Sequence, residues 1–142
     1  MTRYLLDTNV ISEATREVPS PQLMDWLGER DDAELFTSVL TIAELWRGIL
    51  QLPEGHKRRQ LELWFSGAEG PLESFGSRVL PFDDRAALLW ARLMAEGTKA
   101  GRPRSALDMM IAAIAEANGC IVVTYNEKHF HAAVQVLNPL HL

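Results

Sequence analysis

At 142 residues and 47% apolar composition, the chain has the length of one domain and enough hydrophobic side chains for a substantial core. A formal net charge of −5 excludes a protein that coats nucleic acid through a net basic surface, but leaves room for a nuclease that guides one backbone with a local basic patch. A single cysteine excludes an intramolecular disulfide, and no charged leader with an apolar run and no stretch of membrane-spanning length is present, so a soluble, cytoplasmic protein without membrane contact is expected.

In chain order, Arg3–Leu6 reads as a strand running into the turn Asp7-Thr8-Asn9 and a helix that starts on Val10 and Ile11. Pro19 and Pro21 break the chain before an amphipathic helix over 22–29, with Leu23, Trp26 and Leu27 on one face. A loop at Asp31-Asp32 leads to a strand at 35–38 and a helix over 39–52, whose buried stripe is Ile42, Leu45, Trp46 and Ile49. After the break at 53–55 comes a basic helix through Leu61, Leu63, Trp64 and Phe65, with Gly67, Gly70 and Pro71 making its end ragged. A strand at 78–82 precedes a helix from Asp83-Asp84 through Leu88, Leu89, Trp90 and Leu93 towards Gly97, and loop 99–104 follows. The clearest helix spans 106–117 and ends on Asn118-Gly119; a buried strand at 121–124, a turn or short helix over 126–133 and a last strand at 134–137 complete the chain before Asn138-Pro139. Strands alternating with helices predict one α/β domain over 1–142, with a mostly parallel sheet flanked by helices on both faces and ligands bound beyond the carboxyl ends of the strands.

Asp7, Glu44 and Asp108 sit at three separate element junctions, and carboxylates gathered by the fold make a hard-cation site of oxygen ligands. Each has an ordinary explanation: Asp7 as a helix N-cap, and Thr41-x-x-Glu44 and Ser105-x-x-Asp108 as capping boxes. Asp108 opens a wholly apolar run, Met109 to Ala115, and a carboxylate at the mouth of a buried helix needs a partner. Asp83 and Asp84 read as caps, Cys120 as a small buried hydrophobe, and Trp26, Trp46, Trp64 and Trp90 as core or subunit contacts. His129 and His131 invite a metal reading, but surface or packing roles account for them better. Of two basic clusters, 56–59 reads as a solvated helix face; Lys99, Arg102 and Arg104, in a Gly/Pro-broken loop close to Asp108, are candidate RNA contacts.

Four segments in order resemble the PIN-domain toxins of the VapC and FitB group of type II toxin–antitoxin systems. They are Leu5-Leu6-Asp7-Thr8-Asn9-Val10-Ile11-Ser12-Glu13, the run from Ser38 through Thr41-Ile42-Ala43-Glu44-Leu45 to Gly48, Asp108-x-x-Ile111-Ala112-Ala113, and Val123-Thr124-x-Asn126-x-x-x-Phe130 with Asn138-Pro139. The resemblance implies a PIN-like fold and a Mg²⁺- or Mn²⁺-dependent ribonuclease with Asp7, Glu44 and Asp108 as the metal-holding acidic triad. It implies cleavage to a 5′-phosphate and a 3′-hydroxyl, and a homodimer. It also implies a small cognate antitoxin that inserts a basic side chain into the acidic pocket and supplies the contacts to promoter DNA.

A fourth, often acidic, catalytic position maps onto Asn126, a neutral amide, which is a departure that weakens the case for a second cation. Glu127 beside it has no claim without geometry. Thr8, Asn9, Ser38, Thr41 and Thr124 are expected to orient the carboxylates and bound waters. Two rivals remain open. One is a catalytically weak or inactive partner that serves an antitoxin–DNA complex, an idea fed by Asn126. The other is an aspartate-nucleophile phosphatase, opposed by the lack of a second aspartate two residues after Asp7.

Overall fold

The computed structural model describes residues 1–130 and 132–142, so His131 lies outside the described residues. Strand β1 (Arg3–Leu6) is followed by helices α1 (Thr8–Ala14) and α2 (Pro21–Gly28), then β2 (Leu35–Ser38), α3 (Val39–Leu50), α4 (His56–Ser66) and α5 (Pro71–Phe75). The second half comprises β3 (Val79–Leu80), α6 (Asp84–Lys99), α7 (Ala106–Ala117), β4 (Cys120–Val123) and β5 (Val136–Leu137). The strands form one sheet in the order β3-β2-β1-β4-β5, and each neighbouring pair is parallel.

Side chains on a strand alternate between faces, and here both alternating sets are apolar. Leu5 pairs in register with Phe36 and with Val122, and all three enter one core with Leu93 of α6 and Met109, Ile111 and Ile114 of α7. Leu6 pairs with Val123, and both enter the opposite core with Val10 and Ile11 of α1, Leu23 and Trp26 of α2, and Leu35. A sheet covered on both faces needs this near-continuous apolar sequence, and each fully buried Leu or Val contributes about 1.5–3 kcal/mol. Tyr4 edges onto Trp26 with ring centroids 4.9 Å apart, closing the second core. Cys120 is buried in the first core, where loss of solvent pushes its thiol up to about 11.

Local chemistry sets the junctions. Ser20, Asp83 and Ser105 each accept the backbone N–H three residues on, capping α2, α6 and α7. Gly119, at φ +65°, takes the left-handed turn that returns the chain from α7 into β4. A two-residue turn between α7 and the start of β4 makes the helix run back along the sheet, so its N-terminus reaches the carboxyl edge of the strands.

Several expectations change. Thr41-x-x-Glu44 is not a capping box: the N-cap of α3 is Ser38, whose hydroxyl accepts from Thr41 N, which leaves Glu44 in the second turn with its carboxylate free for another purpose. The stretch at Gly70-Pro71 is not only a ragged end, because proline at N1 starts α5 there. Helix α3 stops at Leu50 and α6 runs on to Lys99, past Gly97. The strands expected at 78–82 and 134–137 pair over two residues each, and the turn after β4 condenses to a 3-10 helix at Glu127–Phe130. Leu63 and Leu88 face solvent, since runs of consecutive apolar residues on a helix cannot all lie on one side. Among the described residues no helix is long and apolar enough to cross a membrane.

Candidate active site

Asp7 ends the central strand and caps α1, which puts one carboxylate at the middle of the sheet's carboxyl edge. Its residue is only 6% exposed. Three donors hold the side chain: Thr8 N reaches Oδ1 at 2.8 Å, while the Thr124 hydroxyl at 2.8 Å and Asn9 Nδ2 at 3.4 Å reach Oδ2. Thr124 Oγ1 accepts from Asn9 Nδ2 and from Asn126 N, both at 3.1 Å. Both of its lone pairs are therefore used, and its one proton points at Asp7. Asn9 completes the corner by accepting from Tyr125 N at 3.1 Å. Burial raises the Asp7 pKa above its ordinary value; the bonds from Thr124 and Thr8 pull it back, and the charges of Glu44 and Asp108 push it up further.

Glu44 arrives from α3. The spacing of Thr41 and Glu44 puts them on one helical face, and both meet Thr8 across the gap to α1. The Thr8 hydroxyl donates to Glu44 Oε1 at 2.7 Å and lies 3.3 Å from the Thr41 hydroxyl, which is itself 3.4 Å from the Ser38 hydroxyl. Because Thr8 has a single proton and gives it to Glu44, the order of donation runs from Ser38 to Thr41 to Thr8 to the carboxylate. Ser38 and Thr41 are both fully buried, so this chain of hydroxyls holds Glu44 from inside the fold.

Asp108 sits in the first turn of α7, where the helix N-terminus favours a negative charge, and its side chain is 23% exposed. Its backbone N–H donates to the capping Ser105 hydroxyl at 3.3 Å, the half of the expected capping box that forms. The ring of His129 lies beside it, Nδ1 being 3.8 Å from Asp108 Oδ2. The sequence reading missed this neighbour. The two residues are 21 positions apart, and only the placement of the 3-10 turn after β4 against α7 brings them together.

Asn126 is exposed, and its ordered contacts come from its backbone: N–H to Thr124 Oγ1 and C=O from His129 N at 3.0 Å. Glu127 is held away from the triad by Asn138, whose Nδ2 lies 3.4 Å from Glu127 Oε1. Arg104, a candidate RNA contact, is tied to the protein: its Nη1 donates to Leu93 O at 2.7 Å and lies 3.8 Å from Glu96. Lys99 and Arg102 are exposed. Trp46 packs against Phe65 at 4.8 Å and Trp90 Nε1 donates to Ala106 O at 3.0 Å, while Trp64 lines the grooves beside α1.

Among the described residues, no three His, Cys, Asp or Glu side chains stand close enough to form a ready-made cation cage. A small hard cation commonly takes one or two carboxylates and fills its other positions with water, so it does not require a closed cage. The donor set fits as well, being all oxygen at Asp7, Glu44 and Asp108, with Asp7 under a charge penalty that a cation would relieve.

Comparison with known proteins agrees with this arrangement. A family model described as the PIN domain matches residues 4–135. The plasmid stability protein StbB of Pseudomonas syringae pv. tomato is 40% identical, covering 95% of this chain and 96% of its own. The VapC ribonuclease Y4jK of Sinorhizobium fredii is 35% identical over 95% of this chain and 96% of its own. Toxin FitB of Neisseria gonorrhoeae is 36% identical over 96% and 98% of the two chains. The crystal structure of FitAcB from the same organism is similar with a TM-score of 0.90 at 36% identity, covering 98% of this chain and 99% of that one.

Proposed function

Because the chain belongs to the PIN-domain family, in its VapC and FitB group of toxins, we propose that it is a Mg²⁺- or Mn²⁺-dependent endoribonuclease held in check by a small cognate antitoxin in the cytoplasm. The observation that carries the reading is the buried Asp7 carboxylate, fixed by three donors at the centre of the sheet edge with Glu44 and Asp108 in its electrostatic reach. A structural cap needs no such company.

In this mechanism Asp7, Glu44 and Asp108 would hold the cation, and the cation supplies Lewis acidity that makes water a better nucleophile and offsets charge on the phosphodiester. Asp7 cannot swing, because each oxygen is engaged by a donor whose own position is set by backbone bonds. Glu44 is aimed by the hydroxyl chain from Ser38. Asp108 is more exposed than Asp7 and has His129 beside it, which suits it to meet the incoming strand. Apolar grooves of about 410 and 300 Å³ run along α1, the smaller reaching Glu44 and Thr8, and they support an antitoxin segment seated there with a basic residue at the acids. Promoter DNA would be met through the antitoxin, and a homodimer is the assembly proposed for the toxin.

The test is cleavage of single-stranded RNA by purified protein with Mg²⁺, with Mn²⁺ and in excess chelator, beside Asp7→Asn. Activity that needs the cation and vanishes in the variant supports the reading. Full cleavage in chelator refutes the metal mechanism, whereas antitoxin binding without cleavage under any condition favours the inactive-partner alternative raised by Asn126.

A further inference from the structure

Loop 100–105 and Ala132 enclose a cleft of about 560 Å³ whose lining includes Arg102 and Arg104. The loop is held in shape. Arg102 N donates to Gly97 O at 2.9 Å, and a Cβ on Gly97 would come within 2.9 Å of Arg102 O and of the Arg104 side chain, so only glycine lets the loop lie this close to α6. Arg104 is anchored through Nη1 to Leu93 O, its side chain 15% exposed. One of its donors is used there; Glu96, 3.8 Å from that nitrogen, compensates part of its charge. Arg102 carries no ion pair among the described residues. Opposite them, Ala132 has φ +59°, a left-handed conformation that costs an alanine about 1–2 kcal/mol and is held by the bond from Ala133 N to Phe130 O at 2.8 Å.

This cleft adjoins the acidic site through both of its walls. Arg104 and Asp108 are four positions apart, so their Cα atoms are within about 14 Å. On the other wall Ala132 follows His129, whose ring lies beside Asp108. The other basic cluster, at 56–59, differs: Arg58 is bound to Glu62 at 2.8 Å, and Glu54 and Glu62 line the same hollow as Arg58 and Arg59. Local acids offset it, whereas the cleft at 100–105 has Arg102 free.

We propose that the Arg102–Arg104 cleft is a phosphate subsite that binds the RNA backbone a few nucleotides from the bond cut at Asp7, Glu44 and Asp108. The proposal rests on the ribonuclease reading. A guanidinium presents paired N–H donors that match phosphate oxygens, and a rigid one loses little freedom on binding. In a chain of net charge −5, an anchored Arg104 with the uncompensated Arg102 beside it gives a polyanion a reason to lie across the cleft.

The experiment measures binding of a fluorescein-labelled oligouridylate of about twelve nucleotides to the full-length Asp7→Asn protein in chelator, as a function of salt. Adding Arg102→Ala should weaken binding at low salt by about tenfold and reduce the slope of log affinity against log salt by about 0.7. Arg102→Lys should restore most of the slope, because it keeps the charge. Arg59→Ala should alter neither quantity, and the melting temperature of Arg102→Ala should match that of its parent. Parent binding with an unchanged slope in Arg102→Ala overturns the subsite alone; absence of binding by the parent overturns both the subsite and the RNA reading beneath it.

Discussion

Asp7→Asn separates the electrostatic cost of the site from its hydrogen bonding. Burial raises the carboxyl pKa above 3.8, so between that value and the folded-state value the native protein holds a proton that the unfolded chain has lost. Stability must then fall as pH rises through this window, by about 1.4 kcal/mol for each tenfold by which ionisation is disfavoured. Asparagine removes this cost but brings another. Thr124 Oγ1 already accepts two N–H groups, so an amide NH₂ in place of Oδ2 finds no free lone pair, and leaving that buried donor unmatched costs about 1–3 kcal/mol at any pH. The variant should therefore be the less stable protein at pH below 3.8 and should close the gap, or overtake, as the pH approaches about 7. For a chain of this length each tenfold corresponds to about 3–6 °C in melting temperature. The assay is thermal unfolding of both proteins in chelator across that pH range, read as the difference between them so that other carboxylates cancel. Adding Mg²⁺ at about 100 times its dissociation constant should then stabilise the wild type by about 2.7 kcal/mol, and the variant by much less. A difference independent of pH, or equal stabilisation of both proteins by Mg²⁺, would refute the reasoning.

Glu44→Gln and Asp108→Asn should each abolish RNA cleavage while circular dichroism and melting stay close to wild type, since both carboxylates reach solvent and keep their shape as amides; cleavage retained by both folded variants would sink the acidic mechanism. If Asn126 faces a second cation, Asn126→Asp should bind Mn²⁺ more tightly by titration calorimetry, and unchanged or weaker binding assigns the residue to its backbone role on Thr124. Thr124→Val should lower stability by about 1–3 kcal/mol, because it strips a donor from Asp7 and orphans Asn9 and Asn126 N–H groups; unfolding in denaturant that matches wild type would show these bonds to be dispensable. Cys120, with its thiol raised to about 11, should resist alkylation in the native protein at mildly alkaline pH and react on unfolding, as mass spectrometry would show.

The sequence made the sheet readable because both faces of β1 and β4 are apolar, a pattern that in a short run between turn residues leaves little but a buried parallel strand. It also brought out Asp7, which follows β1, and Asp108, in the first turn of α7, whereas Glu44 lies in the second turn of α3 rather than at its start. Hydroxyl roles were harder. Thr41 is a plausible cap until Ser38 is seen to take that place, and the distinction rests on where α3 starts by one turn. Proximity across the chain was not legible either: His129 lies in an irregular segment with no periodicity, so nothing local indicated that it would stand against Asp108. Nor did the Gly/Pro loop around Arg104 indicate that its guanidinium would bond the Leu93 carbonyl of α6.

The strand order has a consequence for synthesis. Asp7 precedes its Thr124 donor by 117 positions, and β1 gains β4 as its neighbour only when that part of the chain has been made. Closing a loop of that length costs about 4 kcal/mol of chain entropy beyond a constant, which no local segment can offset alone. A fragment that stops before β4 carries Asp7, Glu44 and Asp108 with the whole of α7, but lacks the Thr124 hydroxyl that orients the first carboxylate. In such a fragment the central carboxylate has no buried hydroxyl donor and β1 lacks one of its two neighbours, so the pocket takes its shape only once β4 is in place.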